Sequence, residues 1–152
     1  HRMEVSDTLA MNMRRIEGGI LDNGADIDVT MTPFEAGLGS FVDMDKGDFI
    51  GREAALRERD NPASRKLVTL AIEATDADAS GFEPVKLAGR LVGYTTSGAY
   101  GHASRKSLAL GYVDAACAQA THGFEVELIG ERRPALRLAT PAVDPTGQCM
   151  RT

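Results

Sequence analysis

The chain has 152 residues, of which 43% are hydrophobic and 26% charged, a composition typical of a soluble globular protein with one core or two small packed units. Its formal net charge of −5 argues against a nucleic-acid partner, since phosphate-backbone binding depends on clustered Lys and Arg. No apolar run approaches the roughly 20 residues that span a bilayer, and no signal-peptide pattern opens the chain. Cys117 and Cys149 form no disulfide framework or zinc motif, so we expect reduced thiols in a cytoplasmic compartment.

The first predicted element is a helix that begins at Ser6 or Asp7, either of which can cap its first turn. A glycine pair at 18–19 ends it, because glycine accepts the left-handed geometry after a last helical turn. Three apolar residues at helical spacing share one face: Leu9, Met13 and Ile16. Arg15 and Glu17 are two positions apart and do not face each other, so we expect each to find a different partner. For both, an ion pair that only holds the structure is the favoured interpretation.

The next segment contains a turn and a short helix. The sequence DNG at 22–24 predicts the turn, because Asn and Gly tolerate positive φ. Thr32 and Glu35 have the spacing of a capping box, and Pro33 between them suits the first helical position. Two glycines soon afterwards limit the helix to a few residues, and the pattern at 41–42 allows a strand.

A second helix is predicted over 52–59, opened by Gly51 and rich in charged residues. It ends before Pro62, because a residue that precedes proline avoids helical geometry. We therefore place a boundary between two units here, with one domain at 1–61 and a second at 62–152.

After this boundary the pattern changes to short apolar and alternating runs with turn signals between them. The predicted strands are 66–73, 90–96, 107–113, 124–129 and 134–139, with a hairpin turn at 87–90. Such strands without intervening helices favour a small antiparallel barrel or sandwich, so the chain is assigned to the α+β class. The acidic stretch at 74–81 lacks the ligand pattern of a calcium loop and is interpreted as a solvated loop.

A polar stretch after residue 96 brings together Tyr100, His102, Arg105 and Lys106 in one predicted loop. An aromatic ring beside two cations suits a flat heteroaromatic ligand with a carboxylate tail. A solvated loop before a strand explains the same residues and is favoured on sequence chemistry alone.

Five ordered blocks connect these features to a known family: RIEGG, GADID, TPFEAGLGSFV, KGDFIG and VGYTTSGAYGHASRKSLALGYV. Together they resemble the C-terminal half of the glycine-cleavage aminomethyltransferase (T-protein) family. In pattern the chain is most similar to the folate-binding region of dimethylglycine and sarcosine dehydrogenases, and to related methyltransferases such as dimethylsulfoniopropionate demethylase. T-proteins typically have a folate-contacting arginine at the position of Met11, so that contact is not carried over to this chain.

The resemblance implies the end of a folate-binding α+β core (1–61) followed by a small antiparallel β-barrel (62–152). It implies transfer of a one-carbon unit from an amine-type or methylated donor to tetrahydrofolate. Arg15, Glu17 and Tyr100 are the candidate folate-binding residues, and none of them is predicted to be the catalytic group. The catalytic aspartate and most of the pterin pocket are implied to lie in an N-terminal half that this chain lacks.

The same resemblance has two consequences for partners. The N-terminal half of the same protein is the expected partner, together with a small-molecule substrate and folate, and exposed apolar surface at the missing contact favours self-association. The alternative from a different class is a stand-alone β-barrel module that serves in protein interaction without catalysis.

Overall fold

The structure, a computed structural model, describes residues 7–61 and 63–148. Ser6, Pro62 and Cys149, each of which has a predicted role, lie outside this range. The two α-helices among the described residues are α1 (Thr8–Glu17) and α2 (Arg52–Asp60), and short 3₁₀ turns occupy Gly39–Phe41 and Ala115–Cys117. The strands are β1 (Arg65–Ile72), β2 (Pro84–Leu87), β3 (Arg90–Gly101), β4 (Lys106–Asp114), β5 (Phe124–Leu128) and β6 (Glu131–Leu138).

The six strands close into an antiparallel barrel in the order β1-β4-β3-β2-β5-β6, which confirms the predicted α+β class with a small barrel. Closure pairs β6 with β1, so each of the six strands has a neighbouring strand on both sides. The alternation predicted for β5 is confirmed, because Phe124, Val126 and Leu128 are buried in the barrel core while the residues between them are half-buried. The predicted turn at Ala88 and Gly89 joins β2 to β3, and both residues have positive φ.

Helix α1 lies against β3 and β4 rather than standing apart from the barrel. Asp7 caps it by accepting a hydrogen bond from the Ala10 amide at 2.8 Å. Ile16 is buried against Leu108 and two alanines of the barrel wall. Leu9, which shares the predicted apolar face with Ile16, is 61% exposed, because the barrel reaches only the last turns of the helix.

The capping box is confirmed: the Thr32 amide donates to Glu35 at 3.0 Å, and the Glu35 amide donates to the Thr32 hydroxyl at 3.2 Å. The chain after the capping box forms a tight turn rather than a regular helix. The strand predicted at 41–42 is wrong, because Gly39–Phe41 forms a 3₁₀ turn in which the Phe41 amide donates to Leu38.

Strand β3 continues to Gly101, so the prediction that the strand ends near residue 96 in a surface loop is wrong. Tyr100 pairs with Ser107 of β4 in the sheet, and only the four residues at 102–105 form the connecting turn. The polar side chains at Thr96 and Ser97 made this part of the chain resemble a loop. They are buried because a carboxylate from the preceding segment accepts their hydrogen bonds.

Candidate functional site

Arg15, on the last turn of α1, is held by protein groups on two sides. Its Nε donates to the Asn12 side chain at 2.8 Å, and its Nη1 forms an ion pair with Asp26 and a 3.4 Å hydrogen bond to the Ile20 carbonyl. The side chain is 15% exposed. Within the described part of the chain, Nη2 has no hydrogen-bond partner, so this nitrogen alone remains to donate to a ligand.

Asp26 is the partner that sequence reasoning missed. Its side chain is 0% exposed, and it accepts from the hydroxyls of Thr96 and Ser97 on β3, the latter at 2.6 Å. It also accepts from the Asp22 amide at 2.9 Å. With Arg15, these donors satisfy both oxygens of a buried carboxylate. Asp26 stands in the GADID block, but no local pattern indicates that its partners lie some 70 positions further along the chain.

Glu17 turns to a different part of the barrel, as expected for a residue two positions from Arg15. Its carboxylate is 2% exposed, and Oε1 accepts from the Ser104 amide at 2.8 Å and from the Ser104 hydroxyl at 2.9 Å. The other oxygen lies 3.8 Å from the guanidinium of Arg14, which is largely exposed. The carboxylate is therefore committed to the β3–β4 turn and is not open to a ligand.

Tyr100 is half-buried near the end of β3, with its ring edge-on to His102 at a centroid distance of 5.1 Å. It borders an open recess of about 440 Å³ together with the acidic loop after β1. The carboxylates of that loop already have partners: Asp78 accepts from Ser107 at 2.6 Å, and Asp76 pairs with Arg133 at 2.8 Å. The ring of Tyr100 is thus the part of the recess wall that can stack on a flat ligand.

The three candidate residues do not converge on a single point of contact. Glu17 lies beside Gly101, the residue that follows Tyr100, since a β-carbon built at Gly101 would lie 2.7 Å from Glu17 Oε1. Arg15 instead contacts β3 through Asp26, at Ser97, which precedes Gly101 in the strand. Arg105, one of the cations predicted beside the ring, is exposed to solvent.

A second set of contacts fixes the capping box to the start of the barrel. Arg65, the first residue of β1, donates from Nε to Glu35 at 2.9 Å and from Nη2 to the Thr30 carbonyl at 2.9 Å. Burial would raise the pKa of Glu35, but hydrogen bonds from Arg65 and Thr32 outweigh it and leave that pKa below its ordinary value. Arg65 also lies over the ring of Tyr112, whose pKa burial raises to about 12.

The residues at 7–61 and 63–148 contain no group of three His, Cys, Asp or Glu side chains placed to hold a metal ion. Over the same residues, no helix has both the length and the apolar character needed to cross a membrane.

Comparisons with known proteins agree with the barrel and with the segment before it. The profile of the glycine cleavage T-protein C-terminal barrel domain matches residues 65–144. The human protein "Dimethylglycine dehydrogenase, mitochondrial" is 37% identical over 90% of this chain, and an aminomethyltransferase of Streptomyces avermitilis is 39% identical over 84% of it. The crystal structure of glycine cleavage system aminomethyltransferase T from Bartonella henselae superposes with a TM-score of 0.80 at 27% identity, over 90% of this chain.

The fold and these matches define an aminomethyltransferase-type C-terminal region. The chain belongs to the glycine cleavage T-protein family, and its barrel is that family's C-terminal barrel domain. It spans 16% of the human dimethylglycine dehydrogenase, 35% of the Streptomyces aminomethyltransferase and 38% of the Bartonella protein. The relatives are therefore about three to six times as long as the part to which this chain corresponds.

Proposed function

We propose that this chain forms the C-terminal part of an enzyme that transfers a one-carbon unit from an amine-type or methylated donor to tetrahydrofolate. The observation that carries the proposal is similarity over 90% of the chain, including the segment before the barrel, to a dimethylglycine dehydrogenase. The name of that relative and the name aminomethyltransferase both describe one-carbon groups attached to nitrogen. A transfer of this kind requires an acceptor, and tetrahydrofolate supplies a nitrogen that takes the one-carbon unit.

The described residues suit one wall of a folate site rather than a complete pocket. The exposed side of the Tyr100 ring borders a recess and offers a stacking surface for a planar ring system. Nη2 of Arg15 is a charged donor of the kind that pairs with a carboxylate such as the folate tail. Glu17 takes part through the β3–β4 turn and not by direct contact, because its own carboxylate is buried.

Proton handling in this reaction calls for a positioned carboxylate, and neither of the buried acids beside α1 meets that need. Asp26 has both oxygens occupied by Arg15 and by hydroxyls of β3, and Glu17 is bonded to Ser104. We therefore assign the reacting carboxylate to an N-terminal part that works together with this chain, in line with the greater length of the relatives.

The test is a transfer assay on the full-length gene product with tetrahydrofolate, an added electron acceptor that takes the two electrons released when an N-methyl group is oxidised, and a panel of donors that includes dimethylglycine, sarcosine and dimethylsulfoniopropionate. Mass spectrometry of the folate pool should show a one-carbon adduct with at least one donor. Absence of an adduct with every donor, while tetrahydrofolate stays intact and a known aminomethyltransferase converts its own donor in the same buffer, would overturn the proposal.

A second candidate function is an interaction module without catalysis. The barrel favours it because its core is closed on itself, with fourteen buried residues in one cluster. The two candidates differ in ligand binding: an interaction module leaves tetrahydrofolate free in solution, whereas the enzyme binds it.

A further inference from the structure

We infer that Glu17 is a positioning residue for Tyr100, and that helix α1 thereby sets the shape of the proposed folate wall. The inference rests on the proposed function for its ligand, but its geometry stands on contacts in the chain. Glu17 is the only carboxylate among the described residues that bonds to Ser104, and Ser104 lies in the turn directly after the strand end that carries Tyr100.

The contact between Glu17 and the β3–β4 turn is closely packed, with Ser104 and Gly101 both against the carboxylate. Oε1 of Glu17 accepts two hydrogen bonds from Ser104, and the Ser104 hydroxyl also lies 3.3 Å from the Gly101 carbonyl. Gly101 is buried directly beneath the carboxylate, where a β-carbon would stand 2.4 Å from the Ser104 hydroxyl and 2.7 Å from Glu17 Oε1. Only a residue without a side chain leaves room for the carboxylate at this place.

The backbone of Tyr100 is paired with Ser107 in the sheet, but its side chain has no comparable support. Its ring touches His102 edge-on, but among the described residues no hydrogen bond reaches its hydroxyl. His102 itself lies in the turn that Glu17 holds, between Gly101 and Ser104. The carboxylate therefore acts on Tyr100 through the turn, because it holds the segment that contains the residue packed against the ring.

Removal of the carboxylate leaves the Ser104 amide without its acceptor and frees the turn to move. The ring of Tyr100 should then leave the position in which it borders the recess, while the barrel remains closed through its strand pairs. Glutamine at position 17 retains an oxygen that can accept both hydrogen bonds, so it should keep the ring in place.

The experiment uses the full-length gene product labelled with 3-fluorotyrosine and studied by fluorine NMR, with Tyr100→Phe to assign the signal. Glu17→Ala should shift the Tyr100 signal and leave those of Tyr94 and Tyr112 in place, and Glu17→Gln should restore it. Gly101→Ala should produce the same shift from the opposite side of the contact. Gly18→Ala is the matched control, because its added carbon meets no atom closer than 3.6 Å.

A titration of tetrahydrofolate into the same variants distinguishes the positioning of Tyr100 by Glu17 from the binding of the ligand. Glu17→Ala and Tyr100→Ala should each weaken tetrahydrofolate binding about tenfold. The double variant should bind only slightly more weakly than either single variant, because both substitutions remove the same contact between the Tyr100 ring and the ligand. A Tyr100 signal that stays in place in both Glu17→Ala and Gly101→Ala overturns the inference. A shifted signal in a protein whose wild type does not bind tetrahydrofolate supports the positioning role and overturns the proposed function instead.

Discussion

At the scale of single residues, Asp26 combines an ion pair and several hydrogen bonds at a fully buried carboxylate. It joins α1 to β3 by pairing with Arg15 and by accepting from two hydroxyls of the strand, and its own side chain is 0% exposed. A buried pair is costly to break, because the remaining charge loses its partner but stays out of water.

Asp26→Ala should therefore lower the free energy of unfolding by about 3 kcal/mol in urea titrations. Glu53→Ala is the control, since Glu53 is 92% exposed and lies 3.8 Å from Arg57, and it should change stability by less than about 0.5 kcal/mol. Equal effects of the two substitutions would show that Asp26 does not anchor α1 to β3.

The pair of Glu35 and Arg65 gives stability a pH dependence. The folded-state pKa of Glu35 lies below its ordinary value of 4.5, so the folded protein holds this carboxylate in its charged form more strongly than the unfolded chain does. The stabilisation is complete above the unfolded pKa and is lost as the pH falls through the folded pKa.

We expect the stability difference between wild type and Glu35→Gln to be largest near pH 7 and to shrink below about pH 4.5. Urea unfolding midpoints at pH 7, 5 and 3 measure this difference, and subtraction of the variant removes the contribution of other acids. A difference that stays constant over this range contradicts the proposed role of the pair.

At the scale of elements, the β3–β4 pair depends on two glycines that face the neighbouring backbone. A β-carbon at Gly111 would lie 2.6 Å from the Tyr94 carbonyl, and one at Gly93 would lie 1.9 Å from the Tyr112 carbonyl. Because backbone atoms in a closed barrel cannot move aside singly, alanine at either position must push the strands apart.

Gly111→Ala should cost about 3 kcal/mol or more, at the upper end of overpacking effects, as measured by thermal or urea unfolding. Gly18→Ala should cost far less, because φ is an ordinary −82° and the added carbon would lie at van der Waals distance, 3.6 Å or more, from its neighbours. If Gly111→Ala unfolds at the wild-type midpoint, the close approach of the two strands is incorrect.

The elements also show what the sequence alone can predict. Strand β5 was predictable because its burial alternates within five residues, and the capping box was predictable because its partners are three positions apart. The continuation of β3 was not predictable, because Thr96 and Ser97 are polar in a glycine-rich stretch. Their burial depends on Asp26, which lies far away in sequence and close only in the folded chain.

The candidate site likewise has one part that the sequence indicates and another that depends on tertiary packing. Family resemblance directed attention to Arg15, Glu17 and Tyr100, and their roles as folate-binding residues stay predictions. Their separate connections to β3, through Asp26 and through Ser104, arise from tertiary packing that no spacing rule encodes.

For the whole molecule, the segment at 7–61 is notable for large apolar residues that are exposed to solvent. They are Leu9, Met11, Ile20, Val29, Phe41 and Ile50. Exposed large apolar side chains favour association where they lie close together on the surface. We expect the isolated chain to self-associate, because this surface has no cover of its own.

Light scattering after size exclusion should show dimers or larger species whose population grows with concentration. Replacement of Val29 and Ile50 by serine should reduce association, whereas Ile129→Ser on the barrel should have less effect. A monodisperse monomer at every concentration would contradict the expected self-association.

The central claim is that this chain provides one wall of a tetrahydrofolate site, and calorimetric titration of tetrahydrofolate into the full-length gene product tests it most directly. Arg15→Ala and Tyr100→Ala should each weaken binding about tenfold relative to wild type, while Phe82→Ala, which removes an exposed aromatic ring elsewhere on the barrel, should not. Unchanged affinity in both variants, each shown by circular dichroism to be folded at the temperature of the titration, would contradict the claim.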